Sequence, residues 1–342
     1  MTQIDKALPD LRGYDYSKSD INITASKKKL LILLLAYNTR CNLKCLFCFT
    51  NQGTRSSMEL KKRQKPPKSL NLKELKGLID QGVDLGAKSV CLYGEGEPLL
   101  DKNLFFKLVS YINHHGIIPI VFTNGTLVDK KTAKKLFKNN VSVVGKLYSF
   151  NSQINEYLTG NKNIYEYVNY GSVQVPSHIK HLVDAGYANS NRFALHTVIT
   201  IKNYLEIPKI WLWEREQGII PRVDFLYLPN EKLDITEEQR KDLHRKIWSL
   251  DKELGYEYPL FFGPHLGHRF CDTRASLFID ANGMARICAA TYIFVGDARK
   301  ESLKEIVIKK LEIESTIGRC YDRNCVYCDC YKYNKEKLPS QS

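Results

Sequence analysis

The sequence predicts an α/β chain built from repeated strand–helix units. Two observations carry this. Apolar, strand-like runs at 30–37, 89–93, 117–123, 141–148, 192–200 and 222–228 alternate with amphipathic stretches near 71–86, 101–116, 129–139, 163–186 and 203–217. Strands separated by helices of this length read as βα units around a parallel sheet. After them the chain changes character. Residues 275–287 alternate in part and carry Asn282-Gly283, a β-hairpin signal, and six of the ten cysteines lie at or beyond Cys271.

Taken in order, residues 1–29 are polar and mixed, an extension expected to have little core of its own. Residues 30–228 hold the βα units, 229–265 a bridge, 266–335 the cysteine-rich region and 336–342 a tail. The run at 30–37 follows Lys27-Lys28-Lys29 and imitates a signal peptide, but it starts late and runs straight into a cysteine loop. It is also far short of the roughly 20 residues that span a membrane. Residues 50–68 include Lys61-Lys62-Arg63 and Pro66-Pro67-Lys68 and read as an exposed loop. That loop is either a basic lip for an anionic substrate or an acidic reductase, or simply a solvated segment. The helix at 71–86 has clear punctuation: Asn71 as cap, Glu74 three residues on, Leu72, Leu75, Ile79 and Val83 on one face, and Gly86 at the end. In the bridge, Asp234 to Glu238 opens a helix that runs to about Leu254.

Of the 342 residues, 26% are charged and 43% hydrophobic, ordinary for a globular protein, but the net charge is +14. Such an excess suits an anionic partner: a phosphorylated or nucleotide-linked substrate, an acidic peptide, nucleic acid, or an acidic electron donor of the flavodoxin or ferredoxin type. No nucleic-acid-binding motif accompanies it, and a lysine-rich proteome would give the same excess. Metal-binding cysteines fit a reducing, cytoplasmic compartment better than disulfides do.

The first strand leads into Cys41-Asn42-Leu43-Lys44-Cys45-Leu46-Phe47-Cys48. Soft thiolates select iron–sulfur clusters, copper(I) or zinc. Three ligands leave the fourth iron of a cubane open to a chelating molecule. A structural zinc site would close with a fourth ligand nearby, yet the next cysteine is Cys91, inside another predicted strand and read as core. This spacing, with Phe47 before the third cysteine and a strand before the first, resembles the radical S-adenosylmethionine (radical SAM) superfamily.

The resemblance implies a partial (β/α)6 barrel with its site at the C-terminal strand ends. It implies a [4Fe–4S] cluster on Cys41, Cys45 and Cys48, with S-adenosylmethionine on the open iron beside Phe47. Glu95-Gly96-Glu97-Pro98, after the second strand, resembles the family's Gly-Gly-Glu-Pro element with Glu95 in place of the first glycine. By that resemblance it holds the methionine ammonium, with Glu97 as acceptor. Thr123-Asn124-Gly125-Thr126 after the third strand is a tetrad that the family often carries, and Asn124 joins the cofactor-binding set. Ser149, with Lys146 second, is the candidate for the methionine carboxylate; a solvated strand end is the plain reading. His196, Arg222 and Asp224 line the substrate pocket if their sides of strands five and six face the lumen. A buried Arg–Asp pair that merely braces the barrel is the alternative.

Cys271, eleven residues, Gly283, four residues and Cys288, followed by Cys320, Cys325, Cys328 and Cys330, resemble the SPASM and shorter Twitch extensions of radical SAM enzymes. These bind auxiliary [4Fe–4S] clusters. The one-cluster Twitch form would use Cys271, Cys288, Cys325 and Cys328. Cys320 and Cys330 are substitutes, or a thiol that returns hydrogen to a substrate radical; a zinc ribbon is the alternative. Residues 295–298 and 303–306 resemble the family's joining segment, so the resemblance spans about 30–331.

The family's chemistry implies reductive cleavage of S-adenosylmethionine to a 5′-deoxyadenosyl radical that abstracts hydrogen from a substrate. Two substrate classes compete. One is a sugar, aminocyclitol or nucleotide-linked small molecule, dehydrogenated or epimerised. The other is a ribosomally made peptide given a thioether or carbon–carbon link or epimerised. The short N-terminal stretch, too small for a leader-binding winged helix, favours the small molecule. A non-catalytic zinc and nucleic-acid-binding protein is the reading from another class; the Glu95–Pro98 turn and the strand order speak against it.

Overall fold

Six parallel strands stand side by side in chain order in the computed structural model: β1 (Ile32–Leu35), β2 (Ser89–Leu92), β3 (Ile118–Phe122), β4 (Ser142–Lys146), β7 (Phe193–Val198) and β8 (Ile220–Asp224). The structure describes residues 9–48, 69–93, 95–226, 230–260, 262–263, 265–267, 273–289 and 293–317. The basic loop, Cys271, Cys320, Cys325, Cys328 and Cys330 therefore lie outside the described residues.

Each predicted βα unit has its helix. These are α2 (Leu72–Asp84), α3 (Lys102–His114), α4 (Lys130–Lys138), α6 (Ser177–Asp184) and α7 (Ile207–Glu216), with the short α5 (Ser152–Thr159) after β4. Asn71 caps α2 as expected: it accepts from the amides of Lys73 and Glu74, and Glu74 answers with a bond from the Asn71 amide. Gly86 follows at φ +90°, a left-handed position that suits glycine. Period-two alternation sorts each strand. Leu33, Leu35, Val90, Leu92, Val121, Val143 and Leu195 face the helices. Ile32, Leu34, Cys91 and Ile120 face the other side, the lumen, where Cys91 is a fully buried core residue as read.

Two expectations are corrected. The stretch 163–186 is not one helix. Residues β5 (Tyr167–Tyr170) and β6 (Val173–Pro176) form an antiparallel hairpin before α6 begins. Tyr, Val and Tyr at 167, 168 and 170 and Val at 173 and 175 are strand formers, and Gly171 makes the turn at φ +64°.

Nor is the N-terminal segment without a core. Leu11 is fully buried against Val144, Ala194 and Ile220, and Ile21 of α1 (Lys18–Ser26) packs into the lumen cluster. Residues 11–16 close the N-terminal end of the barrel. The Gly13 carbonyl accepts from Ser89 Oγ (2.6 Å), and that of Arg12 from Ser142 Oγ (2.8 Å). Polar spacing hid this, because three or four buried side chains suffice for a plug.

The bridge helix α8 (Glu237–Glu253) starts at a Thr236–Gln239 capping box. Beyond it, β9 (Ser276–Ile279), β10 (Met284–Arg286) and β11 (Phe294–Asp297) form the expected hairpin and one further strand. They do not make a sheet of their own. β9 pairs in parallel with β1, so that among the described residues the barrel sheet has nine strands in the order β11-β10-β9-β1-β2-β3-β4-β7-β8. The last helix among the described residues, α9 (Leu303–Ile317), buries Leu303, Ile306 and Val307.

Candidate active site

The cysteine loop, the Glu95–Pro98 turn and the Asn124 turn are one hydrogen-bonded unit. Segment 37–41 grips the turn after β2: Tyr37 Oη donates to the Pro98 carbonyl (2.5 Å), Asn38 Nδ2 to that of Glu97 (3.1 Å), and the Glu97 amide to that of Arg40 (2.8 Å). Gly96 is required here. A Cβ would come 2.1 Å from the Arg40 carbonyl oxygen and 2.5 Å from Asn38 Oδ1. Glu97 then binds the next turn. Its Oε1 accepts from the Leu99 amide (3.0 Å) and Thr123 Oγ1 (2.7 Å), and its Oε2 from the Asn124 amide (2.7 Å). Burial pushes its pKa up against these donors. The ammonium-accepting role expected for Glu97 thus meets a carboxylate already engaged with three donors of its own chain.

Asn124 completes the unit. Its Nδ2 donates to Asn42 Oδ1 (2.8 Å) and lies 3.9 Å from Cys41 Sγ, while its carbonyl accepts from Tyr165 Oη (2.9 Å). On the other flank the Lys44 and Leu46 amides donate to the carbonyls of Thr159 and Leu158, both at 2.9 Å. Phe47 packs edge-on to Tyr148 at 4.9 Å between centroids.

The three thiols are held in this unit and feel one another. Burial first, then Cys48 and Cys41, push Cys45 up to about 12, and burial raises Cys41. Thiolates so placed need a compensating cation. Among the described residues no three His, Cys, Asp or Glu side chains converge on one ion-sized centre. A cubane takes each thiolate on a different iron, so the donor set fits it.

Inside the barrel mouth lies a second arrangement. Lys146 Nζ sits 2.6 Å from His196 Nδ1, His196 Nε2 2.7 Å from Asp224 Oδ2, and His265 Nδ1 2.6 Å from Asp224 Oδ1. An ammonium only donates, so with Lys146 charged His196 accepts at Nδ1 and donates from Nε2 to the carboxylate. Burial lowers Lys146 to about 8, with Asp224 foremost among the charges opposing the fall. Burial and Lys146 lower His196 to about 4. Burial would raise Asp224, but His265 and His196 hold it well below the usual carboxylate range. The chain runs from half-buried Lys146 to His265, whose side chain is 22% exposed.

Three candidates fall elsewhere. Ser149 is fully buried and gives its hydroxyl proton to Glu206, so of the two strand-four candidates Lys146 is the one in the lumen. Arg222 does not pair with Asp224. It meets Asp15 of the N-terminal plug at 2.7 Å, over the Tyr14 ring, and so belongs to the floor. Glu95 is engaged by the C-terminal hairpin, with Arg286 at 2.6 Å. Cys288 is half-buried just after β10; its proposed co-ligands lie outside the described residues. Sequence reasoning missed Asn38, Asn42, Tyr165, His265 and Arg286. Only Asn42, inside the cysteine loop, had a local signal.

Comparison with known proteins agrees with this geometry. Residues 36–171 match the family model of the radical SAM superfamily. Fe-coproporphyrin III synthase of Methanosarcina barkeri is 29% identical over 204 residues, 59% of this chain and 45% of that one. Radical SAM cyclopropyl synthase TigE of Paramaledivibacter caminithermalis is 27% identical over 199 residues, 54% and 39% of the two chains. This chain therefore spans less than half the length of these curated relatives. In fold it is similar to Streptococcus suis SuiB bound to S-adenosylmethionine, with a TM-score of 0.59, 18% identity and coverage of 92% of this chain and 73% of that one. The three cysteines, the Glu-Pro turn and the Asn-Gly turn all lie inside residues 36–171, the segment that matches the radical SAM superfamily.

Proposed function

We propose that this radical SAM enzyme modifies a peptide, binding it over the mouth of the barrel beside Lys146. The observation that carries the catalytic part is the single hydrogen-bonded unit of cysteine loop, Glu95–Pro98 turn and Asn124 turn at the C-terminal strand ends. Cys41, Cys45 and Cys48 would hold a [4Fe–4S] cluster. When bound, that cluster supplies the electron that splits S-adenosylmethionine into methionine and a 5′-deoxyadenosyl radical able to take hydrogen from an unactivated carbon. The chain's part is position and exclusion of water. Glu97 fixes the two turns against each other, Asn124 orients the Cys41 side, and Phe47 and Tyr148 seal the flank.

The peptide reading draws on the fold shared with SuiB, also crystallised with its precursor peptide SuiA. The sugar or aminocyclitol dehydrogenation favoured by the sequence has no such support. An auxiliary [4Fe–4S] cluster on Cys288 with Cys271, Cys325 and Cys328 remains part of the proposal, as does an acidic electron-donor protein. The test is anaerobic incubation of the reconstituted enzyme with S-adenosylmethionine, dithionite and short peptides encoded beside its gene. Peptide mass change matched by 5′-deoxyadenosine supports the reading. Unchanged peptides, with turnover on a small carboxylated or sugar substrate, overturn it.

A further inference from the structure

Glu95 stands where the family's motif carries glycine, and its side chain is not idle. Its Oε1 accepts from Arg286 Nη2 at 2.6 Å, and its Oε2 from the Ala281 amide at 3.2 Å. Both partners lie on the C-terminal β9–β10 hairpin, about 190 residues away in sequence. Arg286 is 1% exposed and stacks over Phe278 at 4.4 Å. Its Nε and Nη1 find no hydrogen-bond acceptor among the described residues, so Glu95 is the carboxylate that compensates this buried guanidinium. The next residue but one, Cys288, follows directly on the strand. At the other end of the link, Gly96 and Glu97 are clamped by the backbone that enters the cysteine loop.

We propose that the Glu95–Arg286 ion pair couples the S-adenosylmethionine-binding turn to the Cys288 hairpin, so that occupancy of the turn orders the hairpin. Arg286 is a positioning residue in this scheme: it acts through Glu95 and touches no reacting atom. The physical basis is stiffness. A buried carboxylate held at one oxygen by a guanidinium and at the other by a hairpin amide has no water to relax into, so movement of the turn is carried to the hairpin or breaks the pair. Coupling of this kind is reciprocal: an ordered hairpin raises affinity for the turn's ligand by the same factor. The inference rests on the reading of residues 95–98 as the S-adenosylmethionine turn.

The test is hydrogen exchange by mass spectrometry on the reconstituted protein, with and without S-adenosylmethionine. Arg286→Met alone strands a carboxylate, so the informative variant is Glu95→Gly with Arg286→Met. It removes both charges, which buried pairs commonly tolerate. In the wild type, ligand should slow exchange at 95–99 and at 280–289 together. In the double variant it should slow only 95–99, with affinity weaker by about fivefold or more. If ligand leaves 95–99 unchanged in the wild type, the reading of the turn itself is wrong. If 95–99 is protected in both proteins and 280–289 behaves identically in them, the turn reading stands and the coupling is overturned. Melting temperature alone would not separate these outcomes, whereas ligand-dependent protection does.

Discussion

Replacing Asp224 by Asn tests the lumen chain at its most constrained point. The carboxylate accepts two short bonds, from His196 Nε2 at 2.7 Å and His265 Nδ1 at 2.6 Å. An amide offers one acceptor oxygen, so one histidine N–H must then face an NH2 group. While Lys146 is charged, His196 cannot escape by changing tautomer, since its Nδ1 would turn a proton toward an ammonium only 2.6 Å away. One buried donor left unmatched costs about 1–3 kcal/mol. The loss of charge has a second effect. Asp224 is foremost among the charges that keep Lys146 protonated against its burial, so Lys146 should fall below its present value of about 8. Anaerobic urea unfolding followed by tryptophan fluorescence at pH 7 reads the first effect, and a stability–pH scan the second. A change under about 0.5 kcal/mol, within the range of an ordinary surface substitution, would show that the Lys146–His196–Asp224–His265 chain does not exist in solution.

Three further outcomes follow from the same geometry. Burial lowers Lys146 from 10.5 to about 8, so between those values the unfolded chain binds more protons than the folded one and stability rises with pH, by about 3 kcal/mol in all. Lys146→Met should flatten that rise, which urea midpoints at pH 8, 9 and 10 measure. Gly96→Ala has no room beside Arg40 and Asn38, so iron content after reconstitution should drop to a small fraction of the wild-type value. Asp15→Asn leaves the partly buried Arg222 without its paired charge and should cost about 1–3 kcal/mol by urea unfolding, although residue 15 lies outside the barrel strands.

The parts of the molecule that were legible in sequence are those set by local rules. Six apolar runs gave six parallel strands because burial on both faces writes continuous Val, Leu and Ile. Asn71 and Glu74 announced a capping box because both partners lie within one turn. The cysteine spacing and the turns at Glu95 and Asn124 announced the site because glycine, proline and cysteine have few other uses in such places. What stayed hidden depends on distant contacts. His265 reaches Asp224 across 41 residues, Asp15 meets Arg222 across 207, and Glu95 meets Arg286 across 191. No periodicity encodes such pairs. Ser149 misled for the opposite reason: a strand-end serine looks available until Glu206 is seen to take its hydroxyl.

Anaerobic reconstitution with iron and sulfide, then assay for 5′-deoxyadenosine with S-adenosylmethionine and dithionite, tests the central claim most directly. The account predicts at least about four irons per chain, about eight with an auxiliary cluster, and 5′-deoxyadenosine formation abolished by Cys41→Ala. A protein that takes up zinc in place of iron, or forms 5′-deoxyadenosine equally well without Cys41, would contradict it.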